Sequence, residues 1–205
     1  MKHLLLILIY KGVMPLFLKF IGVKITPKKP LQPNTQYIIV ANHNSHIDTM
    51  ALMSSIPLKD LNRTHPVAAA TYFGKNSWLG VLSKLFVNTI LIKRSEEGGE
   101  STALDVLGKF LSKGHSLIIF PEGSRGEPEK MQAFRKGIGV LLQRYPHIPY
   151  IPVYIQGTGK ILPKGERLIV PYDAIVHFGQ PTFCKAQTVE ALVNEVKNEI
   201  LRLKD

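Results

Sequence analysis

Short runs of β-branched and other apolar residues alternate along this chain with longer segments whose apolar residues recur at helical spacing. Such runs predict buried strands. The predicted strands are residues 37–41, 66–70, 87–92, 117–120, 151–155, 168–170 and 174–178, the last two as a pair. Strands that alternate with helices favour an α/β fold, in which a mostly parallel central sheet is flanked by helices.

The segments between these strands predict the helices of the same fold. A helix is expected to open at Asp48, another to begin after Ser101 as its N-cap, and Gly114 to close the latter. The predicted helical ranges are 48–55, 74–86, 101–111 and 134–144, with an apolar stripe from Val189 to Leu203 in the last helix.

Size and composition indicate one folded domain preceded by a short N-terminal segment. The 205 residues are 45% hydrophobic, which suits a single continuous core. We therefore predict an anchor and connector over residues 1–30 and one α/β domain over residues 31–205. The single cysteine, Cys184, excludes an internal disulfide and a cysteine-rich zinc site, and it favours a reducing compartment.

The first 23 residues are mostly apolar, but Lys11, Pro15 and Lys19 interrupt them. A transmembrane helix needs about 20 predominantly apolar residues, and a lysine in mid-span is costly. We therefore predict two short amphipathic helices, broken near residues 12–15, that anchor the chain in a membrane interface. A spanning or re-entrant helix and a buried core helix are the alternatives.

Positive charge is concentrated near this apolar segment. The chain has a net charge of +11, and its first acidic residue is Asp48. The basic residues before it are Lys2, Lys11, Lys19, Lys24, Lys28 and Lys29. This distribution predicts an anionic partner. The neighbouring apolar terminus favours an anionic membrane surface over nucleic acid, which we do not expect as a partner.

The sequence Asn-His-Asn-Ser-His-Ile-Asp follows the first predicted strand. A carboxylate at Asp48 would accept a hydrogen bond from one ring nitrogen of His43 and leave the other to remove a proton from a hydroxyl. This is a base and its orienting group, with the nucleophile supplied by the substrate. Two alternatives stay open: Asp48 only caps a helix, or His43, His46 and Asp48 bind a metal ion.

A second polar motif, Phe-Pro-Glu-Gly-Ser-Arg at residues 120–125, ends another predicted strand. Gly123 allows a tight turn that exposes backbone amides, while Ser124 and Arg125 can bind phosphate. Glu122 can accept from an acceptor hydroxyl or hold an arginine. In open α/β sheets, ligands bind beyond the carboxyl ends of the strands, where both motifs lie. The alternative is a polar turn without a ligand.

The order and spacing of these motifs resemble the bacterial lysophosphatidic acid acyltransferases, the PlsC-type branch of the glycerolipid acyltransferases. The family's first motif, N-H-x-x-x-x-D, matches residues 42–48, its third matches residues 120–125, and its fourth matches residues 151–153. The second, G-x-x-F-I-x-R, matches in part. Ile92 and Arg94 agree with it, whereas Asn88 stands for glycine and Leu91 for phenylalanine. The resemblance covers residues 33–178, and an amphipathic N-terminal helix pair is also typical of the family.

This resemblance implies that His43 is a general base and Asp48 its partner. It places the following residues in the acceptor site: Arg94, Glu122, Gly123, Ser124, Arg125 and Lys136. It implies transfer of a fatty acyl group from acyl-CoA or acyl carrier protein to a lysophospholipid hydroxyl, with 1-acylglycerol 3-phosphate as the expected acceptor. Neither a metal nor an organic cofactor is expected.

The expected location is the cytoplasmic face of the inner membrane, with the protein bound to one side of the bilayer. Another lysolipid or glycerol 3-phosphate as acceptor, a metal-dependent hydrolase and a non-catalytic lipid-binding protein are the alternatives.

Overall fold

A single mixed sheet organises the protein. The computed structural model describes residues 2–27, 31–70, 87–92, 100–166 and 168–204. In these ranges seven strands form the sheet in the order β1-β7-β6-β2-β5-β3-β4. They are β1 (Val23–Thr26), β2 (Ile38–Ala41), β3 (Thr64–Ala69), β4 (Ile90–Ile92), β5 (Ser116–Ile119), β6 (Tyr150–Gln156) and β7 (Ala174–Phe178). Strands β6, β2, β5, β3 and β4 are mutually parallel, while β7 runs antiparallel to β6 and parallel to β1.

Helices cover both faces of the sheet. They are α1 (Lys2–Phe20), α2 (His46–Ser55), α3 (Glu100–Leu111), α4 (Lys136–Arg144), the short α5 (Thr158–Ile161) and α6 (Val189–Leu201), with a 3-10 helix at Leu58–Arg63. Because side chains alternate along a strand, Ile39 packs in the apolar cluster that includes α1 and α2. Its neighbour Ile38 packs in the cluster that includes α3, α4 and α6. The predicted α/β architecture with a mostly parallel sheet is confirmed.

The N-terminal segment forms one continuous helix, so the predicted break near residues 12–15 is wrong. The helix widens into a π-helical stretch at Leu8–Val13, where the Met14 N–H donates to the Ile9 carbonyl. Pro15 then lies in the first turn of the α-helical segment Met14–Phe20, a position that tolerates its missing N–H. The helix has 19 residues and is long and apolar enough to cross a membrane, by length and composition only.

Helix α1 is apolar on two sides. Its inner side buries Leu6, Tyr10 and Leu18 in the core, so part of it belongs to the folded domain. Its outer side exposes a stripe formed by Leu4, Leu8, Val13, Leu16 and Phe20. The Lys11 ammonium donates to the Ser54 carbonyl at 2.7 Å, near the C-terminus of α2. Most of the helix is not buried, which contradicts the alternative of a buried core helix.

Other elements also differ from the prediction. Strand β1 was not predicted; it lies at the sheet edge, and only Val23 among its four residues is buried, so the pattern is too short to detect. Residues 168–170 were predicted as a strand but form an exposed irregular segment. Helix α3 begins at Glu100, so Ser101 is inside the helix rather than its cap. The predicted helix at 74–86 lies outside the described residues.

Asn88 departs from the glycine of the second family motif, and its backbone explains why the departure is tolerated. Its φ is 61°, in the left-handed region that glycine and asparagine adopt most readily. The buried side-chain amide donates to the carbonyls of Leu61, Asn62 and Thr64 at 3.2, 3.1 and 2.9 Å. Asn88 thus ties the approach to β4 to the 3-10 helix and the start of β3.

We predict that Asn88→Ala destabilises the protein more than Asn88→Gly. Both variants lose the three hydrogen bonds, at a cost of about 1–3 kcal/mol, because buried carbonyls lose their donor. Alanine is also strained in the left-handed conformation, which lowers the free energy of unfolding by about a further 1 kcal/mol. Urea unfolding of the two variants measures the difference. Equal stability would show that the backbone conformation does not matter at this position.

Candidate active site

The turn that carries His43 is fastened to the neighbouring strand β6. The Asn42 side chain forms two bonds with Ile155: its amide donates to the carbonyl at 2.8 Å, and its oxygen accepts from the N–H at 2.7 Å. The Asn44 amide donates to the same carbonyl at 2.9 Å. Because β2 and β6 are adjacent and parallel, these bonds hold the turn at the carboxyl ends of both strands.

Asp48 is completely buried and accepts four hydrogen bonds. Its Oδ2 accepts from the N–H groups of Asn44 and Ser45 at 2.6 and 2.8 Å and lies 2.9 Å from His43 Nδ1. Its Oδ1 accepts from the Thr158 hydroxyl at 2.5 Å. Four donors are what a buried carboxylate needs to remain ionised without a large desolvation cost.

Asp48 therefore takes part in the capping of helix α2 and orients His43 at the same time. With Ser45 as the N-cap, it forms a capping box in which its side chain accepts from the Ser45 N–H. The sequence left the helix cap and the histidine partner as alternatives, but both are present in one arrangement. Helix α2 begins at His46, two residues earlier than predicted, because Ser45 rather than Asp48 is the cap residue.

His43 is held by three different contacts. Nδ1 faces Asp48, the backbone N–H donates to Glu122 Oε1 at 2.8 Å, and the ring stacks on Phe120 with centroids 4.0 Å apart. An ionised carboxylate has no proton to donate, so Nδ1 carries the hydrogen in its bond to Asp48. In the neutral ring, Nε2 is then the basic nitrogen. The side chain is 16% exposed, so solvent or a substrate can reach it.

Glu122 is buried beneath the histidine turn. One carboxylate oxygen accepts from the His43 N–H, and the other accepts from the Gln132 N–H at 2.9 Å. Burial raises the pKa of Glu122, and these two backbone bonds oppose that shift in part. The geometry gives Glu122 a positioning role, since it joins the third motif to the first through the backbone of His43.

The rest of the third motif turns away from the strand toward the surface. Gly123 has a φ of 75°, and its N–H donates to the Phe120 carbonyl at 3.0 Å, which closes a tight turn. Ser124 is exposed and Arg125 is half-buried. Desolvation lowers the pKa of His46 to about 4, and the positive charge of Arg125 contributes to this shift. Arg125 thus places a cation near the histidine turn.

The predicted site residues divide into three groups. Direct hydrogen bonds bring His43, Asp48 and Glu122 together, and Gly123 to Arg125 continue in the same loop. Lys136 begins α4, but its ammonium pairs with Glu190 of α6 at 2.8 Å, so its predicted role toward a phosphate stays a prediction. Arg94 lies outside the described residues, and its role also stays a prediction.

Thr158 is the main site residue that the sequence-based prediction missed. It is fully buried and follows Gly157, whose φ is 86°. A Cβ at Gly157 would lie 2.4 Å from the Asp173 carbonyl oxygen, so glycine is needed for this turn. The signal was present, because the Gln-Gly-Thr-Gly sequence ends strand β6 at the same sheet edge as the two predicted motifs.

The geometry gives the metal alternative little support. Asp48 uses its acceptor positions for four protein donors, and Nδ1 of His43 is one of them. Across the ranges that the structure describes, no three histidine, cysteine or acidic side chains are grouped so that they could hold a metal ion.

The site thus contains a histidine that a buried carboxylate orients, at the carboxyl end of a parallel strand in an α/β fold. Residues 22–156 match the family model described as Acyltransferase. This match includes more than half of the chain, so the chain belongs to the acyltransferase family. The resemblance predicted from the motifs is confirmed.

Relatives and a solved structure agree with this assignment. The chain is 26% identical to a chloroplastic 1-acyl-sn-glycerol-3-phosphate acyltransferase of Brassica napus, over 82% of this chain and 46% of the relative. It is 27% identical to a probable enzyme of the same name from Mycoplasma pneumoniae, over 75% and 57%. The chain thus spans about half the length of the curated relatives it matches.

The crystal structure of the 1-acyl-sn-glycerophosphate acyltransferase PlsC from Thermotoga maritima superimposes with a TM-score of 0.69. That match covers 95% of this chain and 80% of that one, at 21% identity, and it shows a shared fold.

The raised pKa of Glu122 predicts a specific pH dependence of stability. The folded protein binds this proton more tightly than the unfolded chain, so the contribution of Glu122 is fully present below the ordinary pKa of 4.5 and is lost as pH rises above it. The free energy of unfolding, taken as parent minus Glu122→Gln, should therefore fall as the pH rises above 4.5.

Glu190→Gln is the matched control for this measurement. Hydrogen bonding from Lys136 lowers the pKa of Glu190, so its contribution is present above the ordinary pKa and is lost as pH falls. The corresponding difference should change in the opposite direction. A flat profile for Glu122→Gln would contradict the burial argument.

Proposed function

We propose that the chain transfers a fatty acyl group from a thioester donor to the free hydroxyl of a lysophospholipid, with 1-acylglycerol 3-phosphate as the acceptor and phosphatidic acid as the product. The observation that carries this proposal is the His43–Asp48 pair, which orients a partly exposed imidazole with its Nε2 available. The names of the relatives support the acceptor class.

In the proposed reaction His43 acts as a general base. Nε2 removes the hydroxyl proton as the oxygen attacks the thioester carbonyl carbon. A carbon–oxygen bond forms, the carbon–sulfur bond breaks, and the imidazolium returns its proton to the departing thiolate. Asp48 stabilises the transient imidazolium. Because the hydrogen-bond donors to Asp48 are already in place, the site needs no reorganisation when the imidazolium forms.

The third-motif loop is the proposed site for the acceptor phosphate. Arg125 supplies a guanidinium that can form two parallel bonds with phosphate oxygens, and Ser124 adds an exposed hydroxyl. The Gly123 turn brings backbone close to a ligand. Arg94 and Lys136 complete the proposed acceptor site. Glu122 contributes by holding the His43 backbone.

The proposed place of action is an anionic membrane surface, at the cytoplasmic face of the inner membrane. The exposed apolar stripe of α1 and the net charge of +11 support this placement. The proposed donor is acyl-CoA or acyl carrier protein, and the reaction requires neither a metal nor an organic cofactor.

Removing either member of the pair should abolish most of the transfer activity. We expect His43→Ala and Asp48→Asn to lower kcat by at least about hundredfold, because the base or its orientation is lost. Asp60→Asn is the matched control. Asp60 is also buried and accepts from the Asn34 N–H, but it lies at the opposite end of the sheet. Near-normal activity in His43→Ala would refute the mechanism.

Arg125→Ala should separate phosphate recognition from chemistry. With purified protein and a palmitoyl thioester, we expect KM for 1-acylglycerol 3-phosphate to rise by at least about tenfold, since a charge-assisted bond to phosphate is lost. With monoacylglycerol, which lacks phosphate, the variant and the parent should act alike. Transfer only to acceptors without phosphate would overturn the assigned acceptor.

Chelator-sensitive hydrolysis without a thioester donor would support the hydrolase alternative.

A further inference from the structure

An exposed apolar segment precedes strand β7. In residues 168–172 the exposed fractions are 73% for Leu168, 38% for Ile169, 51% for Val170 and 44% for Tyr172. Four large apolar residues in a five-residue surface segment form a patch of the kind that marks an interaction site. The segment is held in place by its backbone, since the Val170 N–H donates to the Ile161 carbonyl at 3.0 Å.

The segment is hydrogen-bonded to the residues that follow helix α1. The Tyr172 N–H donates to the Ile21 carbonyl at 3.1 Å, and the Ala174 N–H donates to the Gly22 carbonyl at 3.1 Å. It therefore lies against the C-terminal end of α1, where the exposed fractions of Leu16 and Phe20 are 72% and 80%.

Strand direction places this surface near the candidate active site. Strands β1 and β7 run opposite to β2 and β6. They therefore start at the end of the sheet where the carboxyl ends of β2 and β6 lie. Two further bonds connect the region before residue 168 to the site. The Ser45 hydroxyl donates to the Leu162 carbonyl at 2.9 Å, and the Lys164 ammonium donates to the Arg125 carbonyl at 3.1 Å.

Basic groups next to the segment favour a lipid surface as its partner. The Lys160 ammonium lies 4.6 Å from the centre of the Tyr172 ring and donates to its hydroxyl at 2.9 Å. Lys164, four residues before Leu168, is also exposed. Apolar side chains with tyrosine and lysine beside them suit the boundary between acyl chains and anionic headgroups.

We propose that residues 168–172 are a second membrane-docking segment, which inserts Leu168, Ile169 and Val170 into an anionic bilayer beside α1. The inference rests on the proposed membrane association. Two contacts, at α1 and at the segment, set the orientation of the domain, so the His43 site opens at the lipid surface. A lysolipid then reaches the site while its acyl chain stays in the bilayer and its phosphate lies at the level of Arg125.

Site-specific fluorescence tests this directly. The experiment uses the full chain with the substitution Cys184→Ser, so that an added cysteine is the only labelling site. An environment-sensitive dye is attached at Leu168→Cys, at Phe20→Cys or at Phe183→Cys. Phe183 is 56% exposed and lies by the amino end of β6, so it is the matched apolar control. Each protein is mixed with phosphatidylglycerol–phosphatidylcholine vesicles.

The expected result is a blue shift with increased intensity at positions 168 and 20 and no change at position 183. A response at position 20 alone would overturn the inference and leave the membrane anchor intact. No change in fluorescence at positions 168 and 20 would show that the proposed membrane association itself fails. A shift at position 168 that depends on protein concentration without vesicles would identify a contact between copies of the chain and overturn the inference.

Substitution gives a second, independent readout. We expect Leu168→Ser combined with Val170→Ser to weaken vesicle binding by on the order of tenfold or more, because two aliphatic side chains no longer enter the bilayer. Phe183→Ser should leave binding unchanged. Activity on a short-chain, water-soluble acceptor should be retained in the double variant. Unchanged vesicle binding in the double variant would overturn the inference that residues 168–172 dock on the membrane.

Discussion

The buried carboxylate of Asp48 is the interaction on which the site depends. Its two oxygens accept from the turn after β2, from His43 and from Thr158 beyond β6. One side chain thus joins the start of helix α2 to two strands of the sheet. A charge buried this deeply is tolerated only because all of its acceptor positions are used, and the same bonds fix the imidazole.

Glu122 gives the site a second buried carboxylate with a complementary role. Asp48 holds the ring of His43, whereas Glu122 holds its backbone N–H, and Phe120 supports the flat face of the ring. The first and third motifs are therefore parts of one hydrogen-bonded unit, although they lie on different strands. In the proposed function, Glu122 positions the base, while Arg125 and Ser124 bind the acceptor from the outer side of the loop.

Patterns of local sequence predicted the elements of the sheet interior and the two main motifs. Runs such as the one around Ile39 are buried on both faces, and the motifs follow strands whose carboxyl ends share one edge. The arrangement of β2 beside β5 and β6 then brings His43, Glu122 and Thr158 together. The resemblance to a known family added the roles of the residues, which residue type and spacing alone left open.

The sequence-based prediction was wrong where tertiary contacts override the local pattern of apolar and polar residues. Pro15 indicated a break, but a π-helical stretch keeps α1 continuous. Residues 168–170 have the composition of a strand, but they lie on the surface without a place in the sheet. Edge strand β1 has too few buried residues to detect. The positioning role of Glu122 depends on two backbone N–H groups, 79 and 10 residues away in sequence, and no local pattern reveals these bonds.

The tautomer of His43 decides whether its exposed ring nitrogen can act as a base. Nitrogen-15 NMR of histidine-labelled protein, with the His43 signals assigned by comparison with a His43→Gln variant, reports which ring nitrogen carries hydrogen when the ring is neutral. We expect a protonated Nδ1 and an Nε2 without hydrogen, and the Nδ1 signal should move in Asp48→Asn. A hydrogen on Nε2 in the neutral ring would exclude the proposed general-base role, because the basic nitrogen would then face Asp48 instead of an acceptor hydroxyl.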